Sequence, residues 1–227
     1  LQNNKNYGIY LSSANTNTII NNTSQNDTYV IYISSSHLNI ITGNTLQSDS
    51  IGIYFTSSCT NTISNNTSQL NSMYGIFLTT QSNSNTISNN VFNSCTSYAV
   101  YLNVSNTNAI INNTIQNNKN LGIYLNASAF NTIQGNNIEN NLSYGMYLGS
   151  SNRNIVLNNV IRNNTGATGY GIYLTTATSN YFAQNTIDSN QMYAIYITGT
   201  SSADTFEKNN IKTSTTNPDS FIQNEAN

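Results

Sequence analysis

The chain has 227 residues and a net charge of −2, and only 6% of its residues are charged, against roughly 25% in an ordinary globular domain. Six Lys and Arg in all leave no basic face to displace counterions from a phosphate backbone, which argues against a nucleic-acid partner. Apolar runs stop at six residues, short of the roughly 20 that a transmembrane helix needs, so no transmembrane segment is expected.

With 47 Asn and one Pro, the composition also matches disordered low-complexity tracts, and periodicity decides between the two. The first patterned block is YGIYL at residues 7–11. It returns as YVIYI, IGIYF, YGIFL, YAVYL, LGIYL, YGMYL, YGIYL and YAIYI. The central residues are Ile9, Ile31, Ile53, Ile76, Val100, Ile123, Met146, Ile172 and Ile195, spaced by 22 to 26 residues. A second block, NTIxNN, follows each copy and is centred on Ile19, Ile41, Ile63, Ile87, Ile110, Ile133, Val156, Phe182 and Phe206. Disorder does not keep such a register, and apolar residues two apart indicate a strand with one buried face. Two clear strands and a third short one per unit predict an all-β chain, a parallel β-helix of nine coils. At about 4.8 Å per coil it forms a rod on the order of 40 Å long.

Two Asn columns run through every unit. Asn22, Asn44, Asn66, Asn90, Asn113, Asn136, Asn159, Asn185 and Asn209 hold one position without exception. Asn tolerates left-handed backbone, and its amide can both donate and accept between coils, so this column is expected to be an internal ladder at a turn. Asn17, Asn39, Asn61, Asn85, Asn108, Asn131, Asn154, Asn180 and Asp204 form the second, turning the chain into the next strand. The recurring GIYLxxSxxNTIxNN unit resembles the right-handed parallel β-helix repeats of the pectin-lyase-like superfamily over nearly the whole chain, to Ile211. That resemblance implies the fold. The superfamily spans lyases, hydrolases, adhesins, surface-layer proteins and a periplasmic copper-handling protein, so function must be argued from the site.

The candidate binding residues are aromatic: Tyr10, Tyr32, Tyr54, Phe77, Tyr101, Tyr124, Tyr147, Tyr173 and Tyr196, of opposite parity to the apolar columns and so expected outside. Two residues before each lies Gly, Ala or Val (Gly8, Val30, Gly52 and so on), which would leave the ring flanks open. The column reads as a strip for sugar rings or a neighbouring subunit, or as stacking that only stabilises adjacent coils. The second Tyr column (Tyr7, Tyr29, Tyr74, Tyr98, Tyr144, Tyr170, Tyr193) has core parity and is expected to be partly buried.

Catalysis would need acids. Asp27 and Asp49 are the one stacked acidic pair, in a column continuing as Asn71, Cys95 and Asn118, so they are weak catalytic candidates beside the simpler reading of turn residues. Gln25, Gln47, Gln69, Asn93, Gln116, Glu139, Arg162, Asp188 and Lys212 read as an outward amide ladder that becomes alternating charge. His37 and Cys59 share a column but, between Asn15 and Ser82, fall short of a metal site; one His, two Cys and three Met disfavour the copper-handling branch. Cys59 and Cys95 lie in different columns, which speaks against a disulfide. Sequons such as those at Asn26, Asn103, Asn126 and Asn141 arise readily in this composition. A Thr column (Thr23, Thr45, Thr67, Thr114, Thr186) suggests ice binding but is interrupted by Val91, Asn137, Val160 and Asn210.

Residues 1–11 nearly repeat 115–125, so the solenoid, 1–211, is expected to be a segment of a longer one or to stack end-on upon another subunit. Residues 212–227 are expected to be a tail, partial coil or cap. The sequence thus predicts an extracellular or cell-surface, non-enzymatic solenoid that needs no cofactor and binds glycan or itself. The alternative is a polysaccharide lyase or hydrolase.

Overall fold

The computed structural model describes residues 1–212 and 222–224. Each circuit of the chain lays down three strands; in the first coil they are β1 (Tyr7–Ser12), β2 (Thr18–Ile20) and β3 (Thr23–Gln25). Every strand pairs in parallel with its counterpart one coil on: Ile9 with Ile31, Ile19 with Ile41, Thr23 with Thr45. Among the described residues the result is three parallel sheets of ten, nine and nine strands, a parallel β-helix without any α-helix. No helix among them is long and apolar enough to cross a membrane. The unequal spacings in the sequence are absorbed at turns, so that Met146 still pairs with Ile172 across the longest unit. Of the expected tail, Ile222–Asn224 joins the first sheet beside Ile195–Thr198, while 213–221 and 225–227 lie outside the described residues.

The interior is one continuous file of Ile, Leu, Val and Phe from all three sheets, most of them fully buried from Ile31 onward. Identical residues stack on themselves because identical backbone positions repeat every coil. Polar groups that enter it are bonded, as at Ser68, whose Oγ donates to the Gly75 carbonyl at 3.1 Å and receives Asn71 Nδ2 at 2.8 Å; the exceptions among the described residues are single atoms of Asp27, Asn108 and Asp204.

Both Asn ladders form. Oδ1 of Asn44 accepts the backbone N–H of Asn22 at 2.9 Å and its side-chain amide at 3.0 Å; Asn44 Nδ2 in turn reaches Asn66 Oδ1 and the Ile19 carbonyl. The pattern continues to Asn209. The second ladder runs likewise from Asn17 to Asp204, with one gap among the described residues at Asn108, whose side-chain amide is buried without a partner. The left-handed backbone falls one residue earlier than the sequence predicts. Asn21 (φ 54°), Asn65 (55°) and Asn112 (53°) take it, and the laddered Asn that follows does not. The turn and the ladder are therefore separate jobs on adjacent residues. At Gly43 and Gly135 in that turn column, an added Cβ would run into Oδ1 of Asn21 and Asn112 below.

Asn113→Ala would remove four buried hydrogen bonds, to Asn90 (two), Ile87 and Asn136, and is expected to cost roughly 3–5 kcal/mol in urea denaturation. Asn112→Gly, at the left-handed neighbour, should change stability by less than about 1 kcal/mol, which separates the ladder from the turn.

Candidate binding face

The first sheet carries the aromatic columns, and its parity departs from simple alternation. Along Tyr29–Ser34, Val30 and Ile31 are both buried, while Tyr29, Tyr32 and Ser34 are half-exposed. The small column therefore faces the core and does not flank the outer rings as the alternation predicts. A Cβ on Gly75 would meet Phe92, and on Gly145 or Gly171 the side chains of Ile161 or Ile187, all from the third sheet. Small residues stand there because the corner from third sheet to first brings the two walls together. Two consecutive inward residues also turn the second Tyr column outward, correcting its expected core position.

Both Tyr columns thus share one outer face. Along the first, ring centroids follow one another at 4.6–5.3 Å from Tyr10 to Tyr196 without a break. The second column packs beside it, Tyr7 on Tyr10 at 4.8 Å and Tyr98 on Tyr101 at 5.3 Å, and is interrupted where Ile51 and Leu121 sink into the wall. Phe77, Tyr101, Tyr124 and Tyr147 are nearly parallel, at 3°, 5° and 14°. At such separations the rings cover one another's faces in offset stacks, so the surface presents edges and hydroxyls. A third outward column of hydroxyls and amides borders the rings. In it Asn126 Nδ2 donates to Asn103 Oδ1 and Asn103 Nδ2 to Thr79 Oγ1. Gly149 interrupts that border and is buried: its missing side chain would stand 3.6 Å from the Tyr147 ring and 3.7 Å from the Tyr124 ring, so these two rings line the place that a side chain fills in the neighbouring coils.

Burial, and then the neighbouring phenols, push the Tyr32 hydroxyl up to about 12 and raise Tyr54, Tyr101, Tyr124 and Tyr147 for the same reasons. None of the first-sheet strands contains Lys, Arg, Asp or Glu. The strands of this face therefore carry no charged side chain at neutral pH.

The other candidates are placed as follows. Asp27 and Asp49 are 3% and 2% exposed, in an interior ladder of their own. Asp27 Oδ1 accepts the backbone and side-chain N–H of Asn4; Asp49 Oδ1 accepts the Asp27 N–H, and its Oδ2 the Ser24 hydroxyl. Asp27 Oδ2 is buried with no partner, where an Asn of the same column would carry an N–H, as Asn118 does toward Asn141 at 2.8 Å. Burial raises the Asp49 carboxyl above its usual range. As folded, neither acid is open to a substrate. On the third sheet Arg162 pairs with Glu139 at 2.7 Å and Lys212 with Asp188 at 3.5 Å. A cleft of about 330 Å³ on that sheet, lined by Leu1, Gln2, Thr23, Ser24, Gln25 and Gln47, contains no acid or base.

His37 and Cys59 belong to a third ladder that runs in the opposite sense and was not anticipated. Asn15 Oδ1 accepts the N–H of His37, His37 Nδ1 that of Cys59 at 3.1 Å, and Cys59 Sγ that of Asn83 at 3.4 Å. The neighbour of Cys59 is thus Asn83, where the sequence register pointed to Ser82. Asn83 and Asn106 continue the pattern, and their recurrence in the sequence was the available signal.

The three parallel sheets define a parallel β-helix. A family model described as periplasmic copper-binding protein (NosD) matches residues 3–169 and again 143–225. The chain belongs to that family, which corrects the expectation from its scarce metal donors that the copper-handling branch was the wrong one. No curated protein matches the sequence. Among solved structures, a double mutant of the periplasmic alginate epimerase AlgG is 18% identical with a TM-score of 0.78, over 86% of this chain and 50% of that one. The mannuronan C-5 epimerase AlgE4 A-module of Azotobacter vinelandii is 16% identical (TM-score 0.72, 97% and 73%). An alginate lyase from Paenibacillus sp. strain FPU-7 is 10% identical (0.58, 91% and 88%). At these identities the likeness is one of fold, and the chain spans half the length of AlgG.

The donors present do not fit a resident copper centre. Among the described residues no three His, Cys, Asp or Glu come together. Cys95 is fully buried with its thiol pushed up to about 12, and Met146 is buried in the core. His37 Nδ1 and Cys59 Sγ each accept a backbone N–H.

Two titration outcomes follow. Phenols held above their unfolded value keep protons that the unfolded chain gives up. For Tyr32 the stabilisation is therefore complete below about pH 10 and is lost as pH rises through about 12, so the thermal midpoint should fall over that window. Asp49 is raised likewise, so its contribution is present in acid and lost as pH rises through its folded pKa. Asp27→Asn with Asp49→Asn should accordingly raise stability at pH 7 by about 1 kcal/mol, with a smaller gain in acid, in urea melts at the two pH values.

Proposed function

We propose that the chain is a non-enzymatic β-solenoid of the cell envelope or exterior that binds polysaccharide along the Tyr face in a structural or adhesive role. The observation that carries this reading is the unbroken outward ring ladder, bordered by hydroxyls and amides and free of charge. Sugars bring apolar C–H patches ringed by hydroxyls, and ring edges, phenolic O–H groups and amides answer both. An extended groove-free face suits a long chain held by many weak contacts, whose avidity grows with each coil engaged. The first-sheet strands offer no cation to a buried carboxylate, so the chemistry favours a neutral polysaccharide over an anionic one. The envelope location is supported by the family's periplasmic description and by the periplasmic AlgG.

Tyr124 and Tyr147, whose rings pack against Gly149 where other coils carry a bordering side chain, make the natural subsite. In affinity electrophoresis through gels containing a neutral glucan, Tyr101→Ala with Tyr124→Ala should abolish retardation. Gly149→Thr, which copies Thr175 and Thr198 of the next two coils, should weaken it several-fold while leaving the fold intact. Asp27→Asn with Asp49→Asn should leave it unchanged. Retardation that survives both Tyr101→Ala with Tyr124→Ala and Gly149→Thr would remove the face from consideration.

A second reading is supported by the solved structures of similar fold, an alginate epimerase, a mannuronan C-5 epimerase and an alginate lyase. In it the chain is part of a polysaccharide-processing enzyme whose catalytic residues lie elsewhere. Release of unsaturated or reducing sugar ends would establish that reading in place of the first.

A further inference from the structure

The geometry points to the Tyr face as a site of oxidative cross-linking, at which phenols of adjacent coils couple into dityrosine and stitch the solenoid together. The inference is independent of glycan binding and rests on ring placement.

Parallel in-register stacking brings each phenol beside the same phenol one coil on, with centroids 4.8 Å apart for Tyr32 and Tyr54, 4.9 Å for Tyr101 and Tyr124, and 4.8 Å for Tyr124 and Tyr147. Coupling needs two phenoxyl radicals to meet at their ortho carbons, and here the partner is already in van der Waals contact, so no diffusive encounter is required. The half-exposed edges admit an external oxidant. With hydrogen peroxide and a haem peroxidase, each of two phenols loses one electron and one proton. The two radicals form one C–C bond between ortho carbons, and each of these carbons then releases its ring hydrogen as a proton while the phenolic oxygen recovers one. Two hydrogens leave in total, and one peroxide is reduced to two waters.

Phe77 gives the inference its sharpest mark. It sits in the column between Tyr54 at 5.2 Å and Tyr101 at 4.6 Å but has no phenolic hydrogen to lose. It therefore divides the first column into two reactive runs. Because a solenoid unravels by losing nearest-neighbour contacts, each covalent link between adjacent coils directly opposes fraying.

The test is to treat dilute protein with horseradish peroxidase and hydrogen peroxide and read dityrosine fluorescence, gel mobility and cross-linked peptides by mass spectrometry. The expected product is monomeric, with peptides joined between Tyr32 and Tyr54, Tyr101 and Tyr124, or Tyr124 and Tyr147, each lighter by two hydrogens, and with a raised thermal midpoint. Phe77→Tyr should add links to Tyr54 and Tyr101, and Tyr124→Phe should delete both of its links. Reaction in urea should lower the yield several-fold. Coupling only between separate molecules, hydroxylated but uncoupled Tyr, or equal yields in urea would overturn the inference.

Discussion

The structure depends on a buried amide's need for a partner. Wherever the chain turns from one sheet to the next, backbone N–H groups point along the solenoid axis into a dry interior, and each must be met or cost about 1–3 kcal/mol. An Asn placed one coil away accepts two N–H groups with a single oxygen, one from its counterpart's backbone and one from its counterpart's side chain, and its own amide donates in turn to the oxygen of the Asn in the coil beyond. One residue type thus solves the same problem at every circuit, and the solution has only one register. A slip by one residue would leave both groups unpaired and turn the apolar columns outward. The ladders explain how a chain with so few charges and no disulfide holds nine coils in line.

That constraint also accounts for what could be read without coordinates. Positions that stack on themselves announce themselves by repetition, so the Ile file at 31, 53 and 76 and the Asn file at 44, 66 and 90 were legible, and with them the coil number and the three strands. What repetition does not reveal is direction. Val30 and Ile31 both face inward because the corner before them tightens, and no spacing distinguishes that from an ordinary strand end. The second Tyr column was therefore given core parity when it lies on the outer face, although its partial burial, in all but Tyr7, is as expected. A clue to the side was present: Tyr is rarely fully buried, because its hydroxyl needs a partner or water. His37 and Cys59 misled in another way, because residues associated with chemistry had simply replaced Asn as acceptors. Their Nδ1 and Sγ do the work of an amide oxygen.

The same economy limits what kind of site the molecule can have. Each side chain inside is bound to the ones above and below, so the core has no room for a pocket, and acids that enter it, Asp27 and Asp49, become ladder members with restricted access. The outer faces are free to vary but repeat at the coil spacing. Interaction surfaces on such a frame are therefore lines of like groups, suited to partners that themselves repeat. The first sheet offers aromatic edges and hydroxyls, the second short polar and aliphatic side chains, and the third amides passing into ion pairs.

Family and site consequently speak to different levels. The NosD match and the likeness to alginate-modifying β-helices establish a common way of stacking coils. They do so through the buried columns, which any member must keep in some form. Chemistry resides on the outward positions, which stacking leaves unconstrained and where sequences at 10–18% identity have no reason to agree. In this chain those positions hold few metal donors and little charge but fifteen tyrosines in two adjoining files. Stacking alone would be served by the one file that runs unbroken. The second file, half-exposed and interrupted at Ile51 and Leu121, widens the aromatic band sideways at positions where Ile and Leu show that burial was available. A surface widened against the hydrophobic tendency to bury is what the proposed binding role would require of this sheet.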